Sequence, residues 1–466
     1  MDTLADGIQS LSDRLFMPWI LILLMGGGIY LTLRTGWVQV RRFREALGAM
    51  AAEQSRTAGG VLTPFQSFMT AIGASIGTGN IAGVATAIIS GGPGALFWIW
   101  CFGFFATAIK FCEAVLGLHF RKAVGDSVLS GPMYYLRDGL KSPALGWIFA
   151  FVSCLAALTT APFLQPNSIG VAMQQVLPTG QVTLPLLGPV SRTALWTGLA
   201  VGLLTWAVVI GGIQAIGRAA EKLAPFKVGL YLAGGLIVIL THLPALPGVL
   251  ATVFREAFSF RAAGGTAAGL GVVIAMRYGV ARGVYANEAG YGSAAMVYGT
   301  ARSDRPDQQG LNAVMETFII SCVTSSISAL TILVSGVAQQ SITAIRAGGS
   351  GVTSTAAVAA AFNTAMPGVG GWIVAFCAFL FGYTTLIGWA FYGEQTLEYM
   401  VGPRPRVAFR WLYCLLIPLG AISKPAVVWA WGDLMSVLQV FPNFFGLLGL
   451  VGIAAMYARG RTRSTT

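Results

Sequence analysis

Charged residues are scarce in this chain of 466 residues: they make up 10% of it, whereas 55% is hydrophobic. Soluble domains of ordinary composition carry about 25% charged residues. So little charge cannot cover the water-facing surface of a protein this large, which excludes a soluble enzyme, a secreted scaffold and a nucleic-acid-binding protein. Disorder is excluded as well, because 11% of the residues are aromatic and the apolar runs are long. The composition predicts an all-α polytopic membrane protein.

Side chains that usually bind metals or carry out catalysis are also few. The chain has two histidines and six cysteines, and the cysteines lie inside apolar runs without a CxxC pair. A zinc site or a histidine-based triad is not expected from this inventory. The sequence also lacks a basic stripe interleaved with aromatic residues, so nucleic acid is not an expected partner. We therefore expect no enzymatic activity, no cofactor and no obligatory protein partner.

Eleven segments are long and apolar enough to cross a bilayer, which takes about 20 residues per helix. They are A (15–36), B (64–89), C (94–118), D (144–176), E (192–213), F (226–243), G (266–297), H (312–338), I (368–396), J (407–422) and K (433–457). Most of the 29 Lys and Arg residues fall in alternate connections. Because basic residues favour the cytoplasmic side, we predict a bacterial inner-membrane protein with its N-terminus outside and its C-terminus inside.

Glycine, by contrast, is abundant, with 60 residues. Most are interpreted as packing positions, because small residues let membrane helices approach closely. Two clusters combine glycine with polar residues in the middle of a span, at 71–83 in segment B and 279–293 in segment G. Backbone groups freed at membrane depth are costly unless a ligand or another group satisfies them. The clusters therefore predict two discontinuous helices that line a cavity for an ion or polar ligand.

Segments B–F and G–K form two sets of five helices, and each set opens with one of these breaks. Because five is odd, the sets have opposite orientations in the membrane, as in the inverted repeats of secondary transporters. The predicted organisation is an N-terminal helix with its cytoplasmic connection (1–63), a first repeat (64–244), a second repeat (266–457) and a basic tail (458–466). Helix number, charge and glycine placement support it, although the halves show no residue-level similarity.

Four stretches of the chain resemble the alanine/glycine:cation symporter family, the sodium:alanine symporters of bacteria and archaea. They are residues 77–85 in segment B, 131–135 after segment C, 281–283 with 287–290 in segment G, and 388–389 with 392–394 in segment I. The resemblance covers nearly the whole chain and implies a LeuT-like fold with sodium-coupled uptake of a small neutral amino acid by alternating access. Alanine and glycine are the first candidates. Serine and glutamine stay open, because Tyr285 and Ala286 depart from the family's usual phenylalanine and serine.

A zwitterionic amino acid needs donors for its carboxylate and acceptors for its ammonium group. We expect free amides in the break of segment B to meet the carboxylate, and carbonyls in the break of segment G to face the ammonium. The candidate substrate-binding residues are Ser75, Gly77, Thr78, Gly79, Gln165, Tyr285, Ala286 and Asn287. The alternative is that these glycines only permit close helix crossing.

Sodium takes about five or six oxygen ligands. In the similar transporter fold, one sodium ion bridges the first broken helix and the eighth core helix, which corresponds to segment I. The implied sodium-binding residues are Gly73, Ile76, Thr384 and Thr385. Asn80 is a candidate either for a second ion or for support of the break. The alternative for the two threonines is that they bond to their own helix.

Ionisable residues at membrane depth are candidates for function. Glu288 is near enough in sequence to pair with Arg282 across the unwound turn, and Asp433 is a candidate partner of Arg277 in an outer gate. Glu113 is expected at the cytoplasmic end of segment C. A proton-coupled carrier, with Glu288 as its titratable group, or a passive channel on the same scaffold are the alternative functions.

Overall fold

The computed structural model describes residues 2–49, 59–124, 127–185, 188–259 and 270–460, and most of them are helical. In chain order the α-helices are α1 (Asp2–Leu15), α2 (Leu21–Thr35), α3 (Val38–Arg41), α4 (Phe43–Ala49), α5 (Pro64–Ser75), α6 (Ala82–Gly91), α7 (Ala95–His119), α8 (Pro132–Tyr134), α9 (Pro143–Thr159), α10 (Ala161–Val176), α11 (Arg192–Val209), α12 (Gly212–Thr241), α13 (Leu246–Ala257), α14 (Leu270–Asn287), α15 (Ser293–Tyr298), α16 (Pro306–Phe318), α17 (Ser325–Val334), α18 (Val337–Arg346), α19 (Ser354–Ala365), α20 (Gly370–Val401), α21 (Arg406–Ile422), α22 (Pro425–Gly449) and α23 (Val451–Ala458).

Shorter elements join these helices. The 3-10 and π-helical turns are Phe16–Ile20, Thr78–Asn80, Tyr135–Gly139, Leu243–Ala245 and Ile319–Thr324. The antiparallel strand pairs are β1 (Lys122–Val124) with β2 (Ser127–Leu129) and β3 (Gln181–Leu184) with β4 (Gly188–Ser191). Both hairpins lie in connections between helices, so the all-α prediction fails only there.

Within the described residues, seven helices are long and apolar enough to cross a membrane, or up to nine if each of two bent pairs forms one span. The seven are Asp6–Thr35, Ala95–His119, Pro143–Val176, Arg192–Val209, Gly212–Thr241, Pro306–Val334 and Gly370–Val401. The bent pairs are α5 with Thr78–Gly91, at 61°, and α22 with α23, at 63°. Segments G and J do not qualify: α14 carries Arg277 and Arg282 among its 18 residues and is too polar, and α21 has only 17 residues. Residues 266–269 of segment G lie outside the described residues. The prediction of eleven spans therefore exceeds what the structure shows.

Large apolar side chains on the outside of the bundle indicate a lipid environment. Trp196 is 68% exposed and Leu415 is 65% exposed, on α11 and α21 respectively. These two helices pack against each other through Gly198, where a Cβ would come within 2.6 Å of the Cβ of Ala421. An apolar outside combined with close helix contact inside is what membrane helices require. The chain is thus a multi-pass membrane protein.

The first broken helix begins and ends where its sequence dictates. Thr63 caps α5 because its hydroxyl accepts from the amide of Gln66 at 3.0 Å, while the Gln66 side chain accepts from the Thr63 amide at 3.2 Å. Helical geometry is lost at Ile76, which has φ −78° and ψ 82°. The chain resumes at Thr78 on an axis bent by 61°. The break predicted in segment B is therefore confirmed, at Ile76 and Gly77.

The second break lies in the C-terminal part of the predicted cluster 279–293. Val284, Tyr285 and Ala286 belong to α14, which continues to Asn287. The chain then leaves the helix at Glu288, with φ 56°, and turns through two glycines of positive φ, Gly290 and Gly292. The break is thus confirmed inside the predicted cluster 279–293, but residues 284–286, whose carbonyls were expected in it, remain helical.

Other segment boundaries also differ from the predicted ones. Segment F was expected to begin at 226, but α12 begins at Gly212 and passes through Pro225. Segment K was expected to begin at 433, but α22 begins at Pro425 and ends where Leu450 adopts φ −107° and ψ 11°. The larger α12 brings residues on both sides of Pro225 against α5 and α20.

Candidate functional site

A small enclosed cavity lies beside the first break. Its wall includes five of the predicted substrate residues (Ser75, Gly77, Gly79, Gln165 and Tyr285) and two residues predicted for gating or ions (Glu288 and Thr385). The other residues that line it are Ala74, Thr160, Ala161, Tyr291, Trp389, Ser436 and Gln439. Its volume is about 20 Å³, which is little more than the space that one water molecule needs. The protein therefore encloses this cavity tightly.

Gln165 reaches the break from α10 and holds its backbone. Its side-chain oxygen accepts from the amide of Thr78 at 3.0 Å and from the Thr78 hydroxyl at 2.8 Å. A Cβ on Gly77 would come within 2.7 Å of the Thr385 hydroxyl and 3.1 Å of the Gln165 amide. Glycine is required at 77 because both side chains approach the backbone this closely. Gln165 thus contacts the break directly.

Asn80 braces the two broken helices against each other. Its side-chain amide donates to the carbonyl of Ser75 at 3.2 Å and, more weakly, to the carbonyl of Ala286 at 3.4 Å. Asn287 joins the end of α14 to the Ile319–Thr324 turn: it donates to Ser321 and accepts from the amide of Ala289. Of the three last substrate candidates in the chain, only Tyr285 lines the cavity. Ala286 and Asn287 lie behind it.

Glu113 satisfies the backbone of the second break, a role that the sequence analysis did not identify. It is fully buried, and its Oε1 accepts from the amides of Gly290 at 2.9 Å and Gly292 at 3.1 Å. The Asn443 side chain donates to the same oxygen at 2.8 Å and to the Gly290 carbonyl at 2.8 Å. Glu113 therefore lies in the last two turns of α7 but points into the interior, where it stabilises the second break.

Glu288 has partners other than the predicted Arg282. The indole N–H of Trp389 donates to its carboxylate at 2.6 Å, and the Ser75 hydroxyl approaches its other oxygen at 3.4 Å. The same hydroxyl donates to Glu316 at 2.8 Å. A buried ion pair of 2.9 Å joins Glu316 to Lys110 on α7. A polar network therefore runs from the cavity wall into the bundle.

Both predicted gating pairs are wrong in their partners. Arg282 forms a bidentate pair with Asp433, with two N–H···O distances of 2.9 Å. Arg277 pairs instead with Asp13 of the N-terminal helix α1. The reason is the arrangement of α22 and α14: Asp433 on α22 contacts Arg282 directly, and both side chains line a second cavity.

This second cavity is an open vestibule of about 270 Å³. Both ion pairs and part of α1 line it, and three of its residues also line the enclosed cavity: Tyr285, Tyr291 and Ser436. Two aromatic rings and a hydroxyl therefore separate the two spaces. A ligand entering from the vestibule meets Arg282 and Asp433 before it reaches the first break.

The residues predicted for sodium converge, but their centre is occupied by a lysine. The Lys227 ammonium on α12 donates to the carbonyls of Gly73 at 3.0 Å and Ile76 at 2.6 Å, and also to the hydroxyl of Thr384. The Thr385 hydroxyl bonds to the carbonyl of Ala74 at 2.7 Å. Thr385 therefore bonds across to α5, whereas Thr384 donates to the Phe381 carbonyl of its own helix at 3.1 Å and accepts from the lysine. Lys227 was missed because it lies at the edge of an apolar segment beside a basic connection.

A pair of broken helices around a tight polar cavity, with an adjoining vestibule, is the arrangement typical of membrane transport proteins. The sequence profile of the sodium:alanine symporter family matches residues 1–463. The chain belongs to this family.

Several curated relatives are similar over nearly their full length. The sodium/alanine symporter AgcS of Methanococcus maripaludis is 35% identical over 454 residues, covering 96% of this chain and 94% of the relative. The probable sodium/glutamine symporter GlnT of Bacillus subtilis is 30% identical, covering 97% and 89%. The putative sodium/proton-dependent alanine carrier YrbD of the same organism is 29% identical, covering 96% and 90%. The names of these relatives differ in both substrate and coupling ion.

Proposed function

We propose that this protein is a sodium-coupled symporter that takes up a small neutral amino acid, alanine or glycine first, by alternating access. The observation that carries the proposal is the enclosed cavity between the two breaks, lined by backbone, amide and carboxylate groups. The proposal includes the LeuT-like inverted repeat, eleven spans and the inner-membrane orientation with the N-terminus outside. Family membership and the names of the sodium/alanine and sodium/glutamine relatives support it.

The carboxylate end of the substrate fits the first break. The Thr78 amide and hydroxyl both donate to one oxygen of Gln165, so the break already presents two donors to an acceptor oxygen. A substrate carboxylate would compete for the same donors, with Gln165 turning aside to contact the substrate. Gly77 and Gly79 leave room for this approach because neither carries a Cβ. Serine or glutamine would need a further shift of the same side chain.

The ammonium end fits Glu288 better than the carbonyls of residues 284–286. The Val284 carbonyl already accepts from the Glu288 amide at 2.7 Å, and the Ala286 carbonyl faces Asn80. Glu288, in contrast, lines the cavity with a carboxylate that Trp389 and Ser75 orient. An ammonium–carboxylate contact is a strong hydrogen bond in such surroundings. The substrate would then lie between Thr78 and Glu288.

The walls of the cavity favour a small side chain. The aromatic rings of Tyr285, Tyr291 and Trp389 all line it, and a Cβ on Gly79 would already come within 3.0 Å of the Tyr285 ring. Because the rings are packed this closely, accommodating a methyl group or a hydrogen atom costs much less free energy than accommodating a long side chain. Alanine and glycine are the substrates that need the least rearrangement.

Uptake of radiolabelled amino acids into proteoliposomes tests the proposal. We expect alanine and glycine to accumulate with an inward sodium gradient, and serine and glutamine to compete less well. A second candidate, proton coupling, is favoured by the lysine at the predicted sodium position. Equal accumulation in choline medium with an imposed pH gradient would establish that candidate and reject sodium. Equilibration without accumulation under either gradient would instead indicate a passive channel.

A further inference from the structure

Lys227 lies where the transporter hypothesis places an exchangeable ion. Its side chain is fully buried, and its three N–H donors meet three oxygens: the carbonyls of Gly73 and Ile76 and the hydroxyl of Thr384. An ammonium group has three donors and no acceptor, so its hydrogen-bonding capacity is fully used. The lysine thus joins α12 to the break after α5 and to the middle of α20.

The break itself creates the acceptors that the lysine needs. The amide of Gly77 bonds to the carbonyl of Ser75 at 2.9 Å and so leaves the Gly73 carbonyl without its usual helical donor. Ile76 has left helical geometry, which frees its carbonyl as well. The lysine supplies donors to both. Without such a donor, carbonyls at membrane depth are costly.

The groups around the lysine nitrogen are neutral oxygens and one aromatic ring. The Thr384 hydroxyl donates to the carbonyl of Phe381 at 3.1 Å, so it acts as an acceptor towards Lys227. The face of the Phe381 ring lies 5.1 Å from the lysine nitrogen, within the range of a cation–π contact. Among the described residues, no carboxylate forms an ion pair with Lys227. Carbonyl, hydroxyl and ring dipoles therefore stabilise the charge.

Sodium would require the same oxygens, because hard cations are coordinated by carbonyl and hydroxyl groups. One position cannot hold both cations. We propose that Lys227 is a tethered cation that replaces an exchangeable sodium ion between the first break and α20. The inference rests on the proposed transport function and deepens it: Lys227 bridges the same elements as a coupling ion would, but it does not exchange with ions in the medium. Any coupling sodium then binds elsewhere.

Removing the lysine side chain should convert the position into a sodium site. In Lys227→Ala the Gly73, Ile76 and Thr384 oxygens, with the Thr385 hydroxyl nearby, remain as ligands and the space between them opens. In Lys227→Met an uncharged chain of similar length fills that space. Lys222→Ala is the matched control, because Lys222 lies on the same helix but is exposed. Each protein is purified in detergent, and its melting temperature is measured in sodium chloride and in choline chloride.

We expect Lys227→Ala to melt lower than the parent in choline and to recover a large part of the loss in sodium. Lys227→Met should lose stability in both salts alike, and Lys222→Ala should match the parent. A sodium response of Lys227→Ala no larger than that of the parent would overturn the proposal. So would pH-driven uptake by the parent that Lys227→Met abolishes, since the lysine would then carry a proton.

A milder variant covers the case in which Lys227→Ala does not fold. Thr384→Val removes one acceptor of the lysine and leaves the chain otherwise intact. If Thr384 binds only the lysine, the sodium concentration for half-maximal uptake stays at the parent value while the melting temperature falls. A several-fold rise in that concentration would show that Thr384 binds sodium. Failure of the parent to transport any amino acid would reject the proposed function, while the melting measurements would still decide the role of Lys227.

Discussion

Replacing Glu113 is expected to cause the greatest loss of stability among single changes near the second break. One oxygen of this buried carboxylate accepts three hydrogen bonds, from the amides of Gly290 and Gly292 and the side chain of Asn443. Glu113→Ala leaves all three donors without a partner. A buried donor left unpaired costs about 1–3 kcal/mol. The total loss of stability for the three donors is on the order of 3–9 kcal/mol. Relaxation of the surrounding structure should keep it in the lower half of this range.

Glu113→Gln separates hydrogen bonding from charge. The amide oxygen of glutamine keeps an acceptor in place for all three donors, and only the strengthening due to the negative charge is lost. Because charge-assisted hydrogen bonds are roughly twice as strong as neutral ones, we expect a loss of about 1–3 kcal/mol. Glutamine therefore serves as the matched control for alanine, with nearly the same size as the native side chain.

The two variants are compared by thermal unfolding and size-exclusion chromatography in detergent, followed by uptake assays of whatever protein remains folded. Folded proteins have a stability of about 5–15 kcal/mol, so the predicted loss for alanine removes much of it. We expect Glu113→Ala to aggregate or melt far below the parent, and Glu113→Gln to stay monodisperse. If alanine were tolerated as well as glutamine, Glu113 would not be the group that stabilises the second break.

Three further predictions concern the cavity and the vestibule. Gly79→Leu should still insert and remain monodisperse, but alanine should no longer stabilise it in a thermal-shift assay. The reason is that even a Cβ at this position would lie 3.0 Å from the Tyr285 ring. Undiminished stabilisation would show that the substrate binds elsewhere. Trp389→Phe removes the indole donor to Glu288, and we expect the KM for the amino acid to rise several-fold with little change in melting temperature. Asp433→Asn weakens a bidentate pair at the vestibule, so uptake should slow while ligand binding to the purified protein persists; equal losses of both would argue against a gating role.

Both breaks were predictable from the sequence as regions, but the exact position of the second within the cluster 279–293 was not. Gly279 and Gly283 drew the predicted break towards the middle of segment G. In the structure both are packing positions: a Cβ on Gly279 would come within 2.5 Å of the Ala95 carbonyl, and one on Gly283 within 3.0 Å of the Phe102 ring. The chain actually leaves the helix at Glu288. Composition cannot separate a glycine that admits a neighbouring helix from one that adopts a positive φ.

Polar partners were predicted less well than the residues themselves. Arg282, Glu288 and Asp433 were recognised as candidates, yet their partners come from helices distant in sequence. Proximity along the chain favoured a pair between Arg282 and Glu288. In the structure Arg282 pairs with Asp433, and Glu288 accepts a hydrogen bond from Trp389. Lys227 shows the same limitation, because a lysine near a helix boundary resembles a loop residue until the neighbouring helix is known.

The buried ionisable groups around the two breaks bear on how membrane voltage acts on the transport cycle. Three carboxylates, Glu113, Glu288 and Glu316, and two ammonium groups, Lys110 and Lys227, are buried there, so that with every group ionised one negative charge is left over. A single bound sodium ion with a zwitterionic substrate would bring the loaded interior to neutrality. The inside-negative potential would then act mainly on the return of the empty carrier, by up to about 2.3 kcal/mol per charge and 100 mV. Hyperpolarisation would thus drive the reset of the protein and exert little direct force on its cargo.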